Sequence, residues 1–251
     1  MSGPTDDSAP WFVDAFDEAY LERYAHRDAA EAARQVALLA REGVLGPGRR
    51  LLDLCCGAGR HAPPARDLGA RVVGLDLSAP LLREARRHLG TLARGDMRRL
   101  PFADAAFDGV AQMFTAFGYF EEDDENRRVL AEVARVLGPG GRYALDLMNA
   151  RREVEALVPR STTRHDDGRV EVATRRFDPT RRRIEKEILV TDAAGGTARR
   201  GESVRVFEPA ELDAWLTEAG FDVVGRYGSD RGEPFDAGAS PRMFVIAEKA
   251  R

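Results

Sequence analysis

Two acidic residues and a glycine turn form the pattern in this chain that is best suited to binding a ligand. Asp53 ends a short apolar run, and Gly57 and Gly59 follow it closely. Glycine lets the backbone approach a ligand because no Cβ intervenes, and a helix starting after the turn would direct free N–H groups at that ligand. Asp76 ends a second apolar run, seventeen residues after Gly59. An acid in that position is placed to accept hydrogen bonds from ribose hydroxyls, so the pattern predicts a cofactor that contains a nucleoside.

Alternating strand and helix patterns would carry these residues. Such alternation predicts right-handed crossovers and a parallel, doubly wound α/β sheet. The predicted strands are 50–54, 71–76, 91–94, 107–113, 142–147, 221–226 and 242–248. The predicted helices are 28–42, 60–68, 78–88, 124–137 and 208–219, with Asp28 and Ser78 as caps. Ligands of open parallel sheets bind beyond the carboxyl ends of the strands, and the loops there would place both acids at one cleft.

A different pattern interrupts this alternation between residues 151 and 208. Apolar and polar residues alternate over 169–177, 182–191 and 202–208, which predicts three antiparallel strands. The segment is therefore interpreted as an inserted β cap, and its nearly balanced charge argues against a nucleic-acid platform. The remaining two segments, 1–150 and 209–251, would form the main domain.

Aromatic residues recur every fourth position near the N-terminus. Phe12, Phe16, Tyr20 and Tyr24 would lie on one face of a helix. Two interpretations stay open: a helix that docks on the core, or a lid within residues 1–45 whose tyrosines reach the cofactor.

Composition excludes several classes of protein. The chain of 251 residues is 43% hydrophobic and 32% charged, which is ordinary for a globular protein, and its net charge of −4 argues against nucleic-acid and membrane partners. It has no apolar run of membrane-spanning length and no signal-peptide pattern. The two cysteines, Cys55 and Cys56, are adjacent, so reduced thiols in the cytoplasm are expected. The oligomeric state, monomer or dimer, is left open.

Taken in order, the motifs resemble those of class I S-adenosylmethionine-dependent methyltransferases. The similarity is strong over 50–147 and extends by pattern to the last forty residues. It rests on the acid and glycine loop 53–59, on Asp76, on Gly95-Asp96-Met97, on Leu100-Pro101-Phe102, on Phe107-Asp108 and on the turn 138–141. The resemblance implies a Rossmann-like, mostly parallel seven-stranded sheet with an antiparallel last strand, and a small antiparallel β insertion of the kind found in enzymes that act on small molecules.

The resemblance also implies which residues bind S-adenosyl-L-methionine. Asp76 would hold the ribose and Asp96 the adenine amino group, with the Met97 backbone beside it. The full set of expected cofactor contacts is Tyr20, Tyr24, Asp53, Cys55, Gly57, Gly59, Asp76, Leu77, Asp96, Met97 and Met113. One departure stands out, because Cys55 occupies the position of the family's first loop glycine.

The expected acceptor contacts come from two loops, and no metal site is expected. They are Phe117, Tyr119, Arg231 and Phe235. The catalytic base stays unknown. Of the four histidines, His61 is expected to be structural or near the cofactor, His88 and His165 are expected to be exposed, and His26 could reach the cleft.

Three functions are compared. The resemblance favours methyl transfer to an oxygen or nitrogen atom of a small molecule. An NAD-dependent oxidoreductase is the main alternative, because residues 57–62 also fit the G-x-G-x-x-G/A fingerprint. Against it, the charge of Asp53 suits a cofactor ammonium better than a pyrophosphate. The third alternative is a protein that binds S-adenosylmethionine without turnover and regulates a partner.

Overall fold

The described part of the chain forms two β-sheets and seven helices with defined bounds. The computed structural model describes residues 10–17, 20–21 and 29–250. Its strands are β1 (Arg50–Leu54), β2 (Arg71–Asp76), β3 (Leu92–Arg94), β4 (Phe107–Gln112), β5 (Leu137–Met148), β6 (Arg160–Arg164), β7 (Val170–Asp178), β8 (Arg183–Thr191), β9 (Thr197–Arg205), β10 (Phe221–Tyr227) and β11 (Arg242–Lys249). Its helices are α1 (Trp11–Asp14), α2 (Ala29–Arg41), α3 (Ala62–Asp67), α4 (Ala79–Ala85), α5 (Asp123–Val136), α6 (Ala150–Glu155) and α7 (Pro209–Glu218).

The larger sheet has seven strands in the order β10-β11-β5-β4-β1-β2-β3. β1 lies between β2 and β4 and runs parallel to both. β11 pairs antiparallel with β5 on one side and with β10 on the other. The predicted α/β class and the antiparallel last strand are therefore confirmed. The carboxyl ends of β1, β2 and β4 meet at one edge, which brings their following loops together.

Burial explains why these segments form central strands and covering helices. Leu51, Leu52 and Leu54 of β1 are each at most 2% exposed, as expected for a parallel strand covered on both faces. α4 begins where Ser78 accepts a hydrogen bond of 3.2 Å from the N–H of Leu81, which confirms the predicted cap. That cap ends the loop after β2, so it helps to position Asp76.

The N-terminal segment differs from the predicted continuous helix. α1 ends at Asp14, and residues 15–17 form a bend. Tyr24, His26 and the predicted cap Asp28 lie outside the described residues. The bend separates Phe12 from Tyr20, which is again helical together with Leu21, so the aromatic residues do not follow one unbroken helix.

The glycine-rich turn before β5 is also different from its prediction. α5 ends at Val136, and β5 begins at Leu137 and includes Gly138–Gly141. The pairing of β5 with β4 shifts between Phe107 and Gly109, so the glycines form an irregularity within the strand pairing rather than a separate loop.

The inserted segment forms a four-stranded antiparallel sheet, β6-β7-β8-β9, and not the three strands that were predicted. β6, with the sequence RSTTR, was missed because its polar residues show no apolar alternation. The predicted strand at 202–208 runs instead over Thr197–Arg205. The short helix α6 was also not predicted.

One buried arginine fastens this cap sheet to the main sheet. The guanidinium of Arg183 donates to the carbonyls of Phe120 (2.7 Å), Gly118 (3.2 Å) and Tyr119 (3.1 Å). It also donates to the hydroxyl of Ser203 at 2.8 Å. Burial lowers the pKa of Arg183 to about 10, and the carbonyls solvate its charge in place of water. The cap therefore supports the loop that follows β4.

Across residues 10–17, 20–21 and 29–250, every helix is too short or too polar to cross a lipid bilayer.

Candidate active site

The glycine loop lies at the carboxyl end of β1, where the sequence predicted it. The N–H of Cys56 donates to the carbonyl of Leu75 at 2.9 Å, which ties the loop to β2. The N–H of Gly57 donates to Oδ2 of Asp76 at 2.8 Å. Gly57 has a φ of +54°, and a Cβ there would meet only Leu81 within 4 Å. The loop is thus held open beside the acid.

Asp76 is a buried carboxylate oriented by backbone amides. Its Oδ1 accepts from the N–H of Ser78 at 2.8 Å, while Oδ2 accepts from Gly57. Burial raises the pKa of Asp76, and the hydrogen bonds from Ser78 and Gly57 act in the opposite direction. Each carboxylate oxygen still has a free lone pair, so the group can accept from two neighbouring hydroxyls.

Asp53 is a buried acid with an unsatisfied oxygen. Its side chain is 1% exposed, and Oδ2 has no hydrogen-bond partner in the described structure. Burial, followed by the nearby charge of Asp76, raises the pKa of Asp53 to about 7. A buried polar atom without a partner costs free energy, so Asp53 is suited to receive a cationic donor from a ligand.

Asp96 is already engaged by an arginine. Arg98 donates to both of its oxygens, at 3.1 Å from Nε to Oδ1 and 2.6 Å from Nη2 to Oδ2. Burial raises the pKa of Asp96, but the hydrogen bonds from Arg98 outweigh it and the pKa is lowered. Arg98 also pairs with Glu125 and stacks on the ring of Phe120 at 4.4 Å. Asp96 is therefore ionised and fixed in orientation.

Sulfur atoms line the floor of the site between these acids. Sγ of Cys55 lies 3.7 Å from Sδ of Met97. Met97 also accepts from Nε2 of Gln112 at 3.3 Å. Cys55 has a φ of +60°, the left-handed conformation usually taken by glycine. The position keeps its glycine-like backbone although it carries a side chain.

Aromatic rings form another wall of the site. Phe16 stacks on Tyr119, with ring centroids 5.8 Å apart, and packs against Tyr20 at 5.0 Å. Phe12 meets Phe120 edge-to-face at 5.2 Å. The carbonyl of Phe16 accepts from Oγ of Ser78 at 2.5 Å, so the N-terminal segment is docked beside Asp76.

An ion pair also joins the cap to the N-terminal segment. Arg200 of β9 pairs with Asp17, with 2.7 Å between Nη2 and Oδ2. The lid interpretation of the N-terminal segment stays a prediction, but the described part of it lies over the cleft.

His61 is part of the site wall and is held by a glutamine. Its Nε2 lies 2.8 Å from Oε1 of Gln35; that oxygen can only accept, so Nε2 is the donor. Burial, and next the charge of Arg60, lowers the pKa of His61 to about 3. The ring is therefore neutral at physiological pH.

These groups surround one cavity of about 490 Å³, a volume typical of small-ligand sites. Ten of the residues expected to contact cofactor or acceptor line it: Tyr20, Asp53, Cys55, Gly57, Asp76, Leu77, Asp96, Met97, Met113 and Tyr119. We call Asp53, Asp76, Asp96 and Gly57 the acidic side. We call Phe12, Phe16, Tyr20, Phe114, Tyr119 and Phe120 the aromatic side.

Four other expected contacts do not line the cavity. Gly59 packs against α4, where an added Cβ would lie 3.3 Å from Ala85. Phe117 is fully buried and packs on Phe207 with centroids 5.2 Å apart. Arg231 is exposed, and Phe235 is half-buried against the core. Tyr24 lies outside the described residues.

Some lining residues were not proposed from the sequence. Arg60, Glu84 and His88 belong to the cavity wall, as does Phe114, whose loop was expected at the cleft although Phe114 itself was not proposed as a contact. The expectation that His88 and His165 are exposed was wrong, since both are half-buried. Glu84 and His88 follow Leu81 by three and seven residues, which is one face of a helix, and this spacing could have revealed them.

Comparisons with known proteins agree with this geometry. Residues 51–141 match a family model described as a methyltransferase domain. The chain is 33% identical over 208 residues to the cypemycin N-terminal methyltransferase of Streptomyces sp, covering 80% of this chain and 84% of that protein. It is 30% identical over 219 residues to the dTDP-3-amino-3,4,6-trideoxy-alpha-D-glucopyranose N,N-dimethyltransferase of Streptomyces venezuelae, covering 84% of this chain and 90% of that protein. The structure of SAM-bound CalS10, an amino pentose methyltransferase from Micromonospora echinaspora involved in calicheamicin biosynthesis, aligns with a TM-score of 0.63 at 25% identity, covering 92% of this chain and 97% of that chain.

The Rossmann-like sheet, with its glycine loop and the buried acids beside it, is the fold of an enzyme that uses a nucleoside cofactor. The chain belongs to the class I S-adenosylmethionine-dependent methyltransferases. Its activity is methyl transfer and its cofactor is S-adenosyl-L-methionine. The alternatives of an NAD-dependent oxidoreductase and of a protein without turnover are therefore wrong.

The residues present fit this cofactor. The unsatisfied Oδ2 of Asp53 matches the cofactor's ammonium group in charge and hydrogen bonding. The open space above Gly57 admits a ligand close to the backbone. Phe114 and Ala116, which follow Met113, also line the cavity.

Proposed function

We propose that this enzyme transfers the methyl group to the nitrogen atom of a small-molecule amine. The observation that carries the proposal is the division of the cavity. Its carboxylates and imidazoles belong to the acidic side, to His61 before α3, to Glu84 in α4 and to His88 just after α4, whereas the aromatic side offers rings and two phenols. An acceptor beside those rings would meet no strong base.

The state of the nearest titratable groups favours nitrogen over oxygen. A hydroxyl acceptor needs a base that removes its proton during attack. His61 has a pKa of about 3 and donates to Gln35, so it is a very weak base. Burial raises the pKa of Tyr119 well above its ordinary value, so its phenol stays protonated. A neutral amine needs neither group, since its lone pair is already free.

The aromatic side also suits the charge that the reaction moves. S-adenosylmethionine supplies a methyl group on a positively charged sulfur; the carbon–sulfur bond breaks, a carbon–nitrogen bond forms, and the positive charge passes to nitrogen, which later loses a proton to water. The faces of Tyr20, Phe16 and Tyr119 attract positive charge. Rings around the reacting atoms also exclude water and align the two partners.

We assign the acidic side to cofactor binding. Asp76 accepts from the ribose hydroxyls, Asp53 from the ammonium group, and Gly57 lets the methionine part lie against the backbone. Both oxygens of Asp96 already accept hydrogen bonds from Arg98. We therefore expect Asp96 to orient the adenine and to make only a weak hydrogen bond to it. Cys55, Leu77, Met97 and Met113 complete this surface by contact.

A small acceptor, and not a nucleic acid, is part of the proposal. One relative is named as an N,N-dimethyltransferase of an amino sugar nucleotide, another as an N-terminal methyltransferase, and a third as an amino pentose methyltransferase. The net charge is −4. Cap cations such as Lys186 and Arg205 are engaged by carboxylates, so this surface is a poor match for a phosphate backbone. We also propose that the enzyme works in the cytoplasm and that the cap, 151–208, is a separate unit over the main domain.

The test is a panel of matched acceptors. Purified enzyme is incubated with S-adenosylmethionine and, in turn, 2-phenylethylamine, 4-ethylphenol, 3-phenylpropionate and a set of amino sugars and short peptides with free N-termini. Formation of S-adenosylhomocysteine is measured. We expect turnover with at least one amine and a rate that rises with pH as that amine loses its proton. Turnover of the phenol or acid with no amine active would contradict the proposal.

A further inference from the structure

The backbone after β4 adopts a costly conformation at the cavity. Phe114 has a φ of 63° and Thr115 a φ of 57°. Two successive non-glycine residues in the left-handed region are unfavourable, because the Cβ of each crowds the backbone. Such conformations persist only where the surrounding structure holds them, and they concentrate at functional sites.

A buried acid on β5 holds both residues. Oδ2 of Asp146 accepts from the N–H of Phe114 at 2.9 Å. The carbonyl of Asp146 accepts from the N–H of Thr115 at 2.7 Å. Asp146 is 1% exposed, so its side chain has a single environment. Both backbone donors of the left-handed pair are thus satisfied by one residue.

An arginine on β11 completes the arrangement. Nε of Arg242 donates to Oδ1 of Asp146 at 2.8 Å. Its Nη2 donates to Oγ1 of Thr115 at 2.8 Å. Arg242 therefore neutralises the charge of Asp146 and also binds the side chain of Thr115. The three residues belong to β5, β11 and the loop after β4, so the contact exists only in the assembled sheet.

The held residue is part of the cavity wall. Phe114 lines the cavity next to Met113. The guanidinium of Arg242 lies 5.5 Å from the centroid of the Phe114 ring, and that of Arg60 lies 5.7 Å from it. The backbone conformation of 114–115 decides where this ring stands, and the two arginines limit its movement.

We propose that Asp146 and Arg242 are positioning residues for the methyl acceptor. Their ion pair holds Phe114 and Thr115 left-handed and so sets the shape of the cavity where the acceptor must align with the methyl group. The inference rests on the proposed function for the location of the acceptor. It goes beyond that function by assigning alignment to a pair that lies outside the cavity wall.

The test compares two ion pairs that join the same two strands. Arg242→Met breaks the pair with Asp146, while Arg142→Met breaks the pair of Arg142 with Glu248 at the opposite edge of the sheet. A misplacement of about 1 Å costs roughly a hundredfold in rate, so we expect Arg242→Met to lower kcat/KM by about tenfold to a hundredfold. The Kd for S-adenosylmethionine should stay within about threefold for both variants, and Arg142→Met should keep its kcat/KM.

Glycine rescue separates positioning from simple loss of stability. Thr115→Gly, added to Arg242→Met, should recover most of kcat/KM, because glycine takes the left-handed conformation without an anchor. Thr115→Ala in the same background removes the same hydroxyl and should not recover it. Equal recovery by both, or recovery by neither, would overturn the proposal.

The assay uses whichever acceptor of the panel is turned over, whether amine or phenol, so the alignment role is tested even if nitrogen specificity fails. A crystal structure of Arg242→Met gives a second readout that needs no acceptor. We expect the φ values of residues 114 and 115 to leave the left-handed region. Retention of both would overturn the inference, as would their loss without a change in kcat/KM.

Discussion

The acidic side and the aromatic side of the cavity are built in different ways. Asp53, Gly57 and Asp76 stand at the ends of two adjacent strands, and backbone hydrogen bonds between the loops fix them. The aromatic side joins the N-terminal segment to the loop after β4, and both are held by the cap through Arg183 and Arg200. The acidic side is therefore formed by the edge of the sheet, whereas the aromatic side forms only when three segments distant in sequence pack together.

The two sides also differ in electrostatics. The acidic side is desolvated, and burial raises the pKa of both Asp53 and Asp76. A bound cation and bound hydroxyls would offset the desolvation of these two carboxylates. The aromatic side has rings whose faces attract positive charge without fixing a proton. The difference suggests a division of labour, with affinity for the cofactor on one side and reactivity on the other.

The largest expected effect is on the acidic side. Asp76→Ala should weaken binding of S-adenosylmethionine by roughly 1.5–3 kcal/mol, as for hydrogen bonds to a charged group, or about ten- to 150-fold in Kd. Calorimetric titration measures it. Asp108→Ala, whose carboxylate pairs with Arg50 at the other edge of the sheet, is the control. An unchanged Kd for Asp76→Ala would remove the ribose assignment.

The second effect is a pH dependence from Asp53. Its pKa is raised from 3.8 to about 7, so the ionised form that attracts an ammonium appears only as the pH rises. Between pH 5.5 and 7 the affinity for S-adenosylmethionine should increase, approaching tenfold per pH unit. 5′-Methylthioadenosine lacks the ammonium and should show no such slope, and Asp53→Asn should flatten the profile for S-adenosylmethionine. A slope that survives Asp53→Asn would assign the titration to another group.

The same pKa shift has a consequence for the stability of the ligand-free protein. Because the folded pKa is raised, the stabilising contribution of the neutral carboxyl is complete below about pH 4 and is lost as the pH rises through about 7. Asp53→Asn should therefore be more stable than the wild type above pH 7, and chemical denaturation at pH 5 and pH 8 measures this difference.

A smaller effect is expected on the aromatic side. Tyr119→Leu removes a ring that packs against Trp11 at 4.9 Å and against Phe16 at 5.8 Å. A cation over a ring is worth about 0.5–2 kcal/mol, so S-adenosylmethionine should bind roughly two- to thirtyfold more weakly. S-adenosylhomocysteine carries a neutral sulfur, and its Kd should not change. Tyr119→Phe keeps the ring and is the matched control; equal weakening of both ligands would show that the ring acts by packing alone.

The smallest effect concerns Cys55, which joins the two sides. Its left-handed backbone favours glycine, while its thiol packs against Met97. Both Cys55→Gly and Cys55→Ala remove the contact with Met97. Glycine adopts the left-handed backbone without strain, whereas alanine keeps the strain. We expect the alanine variant to be less stable than the glycine variant by about 1 kcal/mol. Thermal unfolding of the pair decides it, and the reverse order would mean that the position is not strained.

The acidic side was accessible to prediction because local patterns determine it. Apolar runs that end in acids and glycines give parallel strands, and parallel strands place their carboxyl ends at one edge. Asp53, Gly57 and Asp76 therefore meet at that edge, and the family resemblance added Asp96 and Met97, which line the same cavity. The cap was less predictable, because β6 is polar and exposed and shows no alternation to detect.

The aromatic side was predicted only in part, since Tyr20 and Tyr119 line the cavity as expected but other expected residues do not. Phe117 was expected at the acceptor, yet the left-handed pair at 114–115 redirects the loop, so that Phe114 and Tyr119 line the cavity and Phe117 enters the core. Arg231 and Phe235 were expected in the cleft, but their loop packs toward α2, where Asp230 pairs with Arg34. Each of these outcomes depends on contacts between distant segments.

By itself the sequence determined the sheet, its glycine loop and the two acids that end β1 and β2, since these follow from short-range periodicity and from the geometry of parallel strands. Only the tertiary structure decided how the loop after β4 is held and which of its aromatic rings line the cavity. Those features depend on Asp146, Arg183 and Arg242, whose charges are satisfied only when β5, the cap and β11 come together.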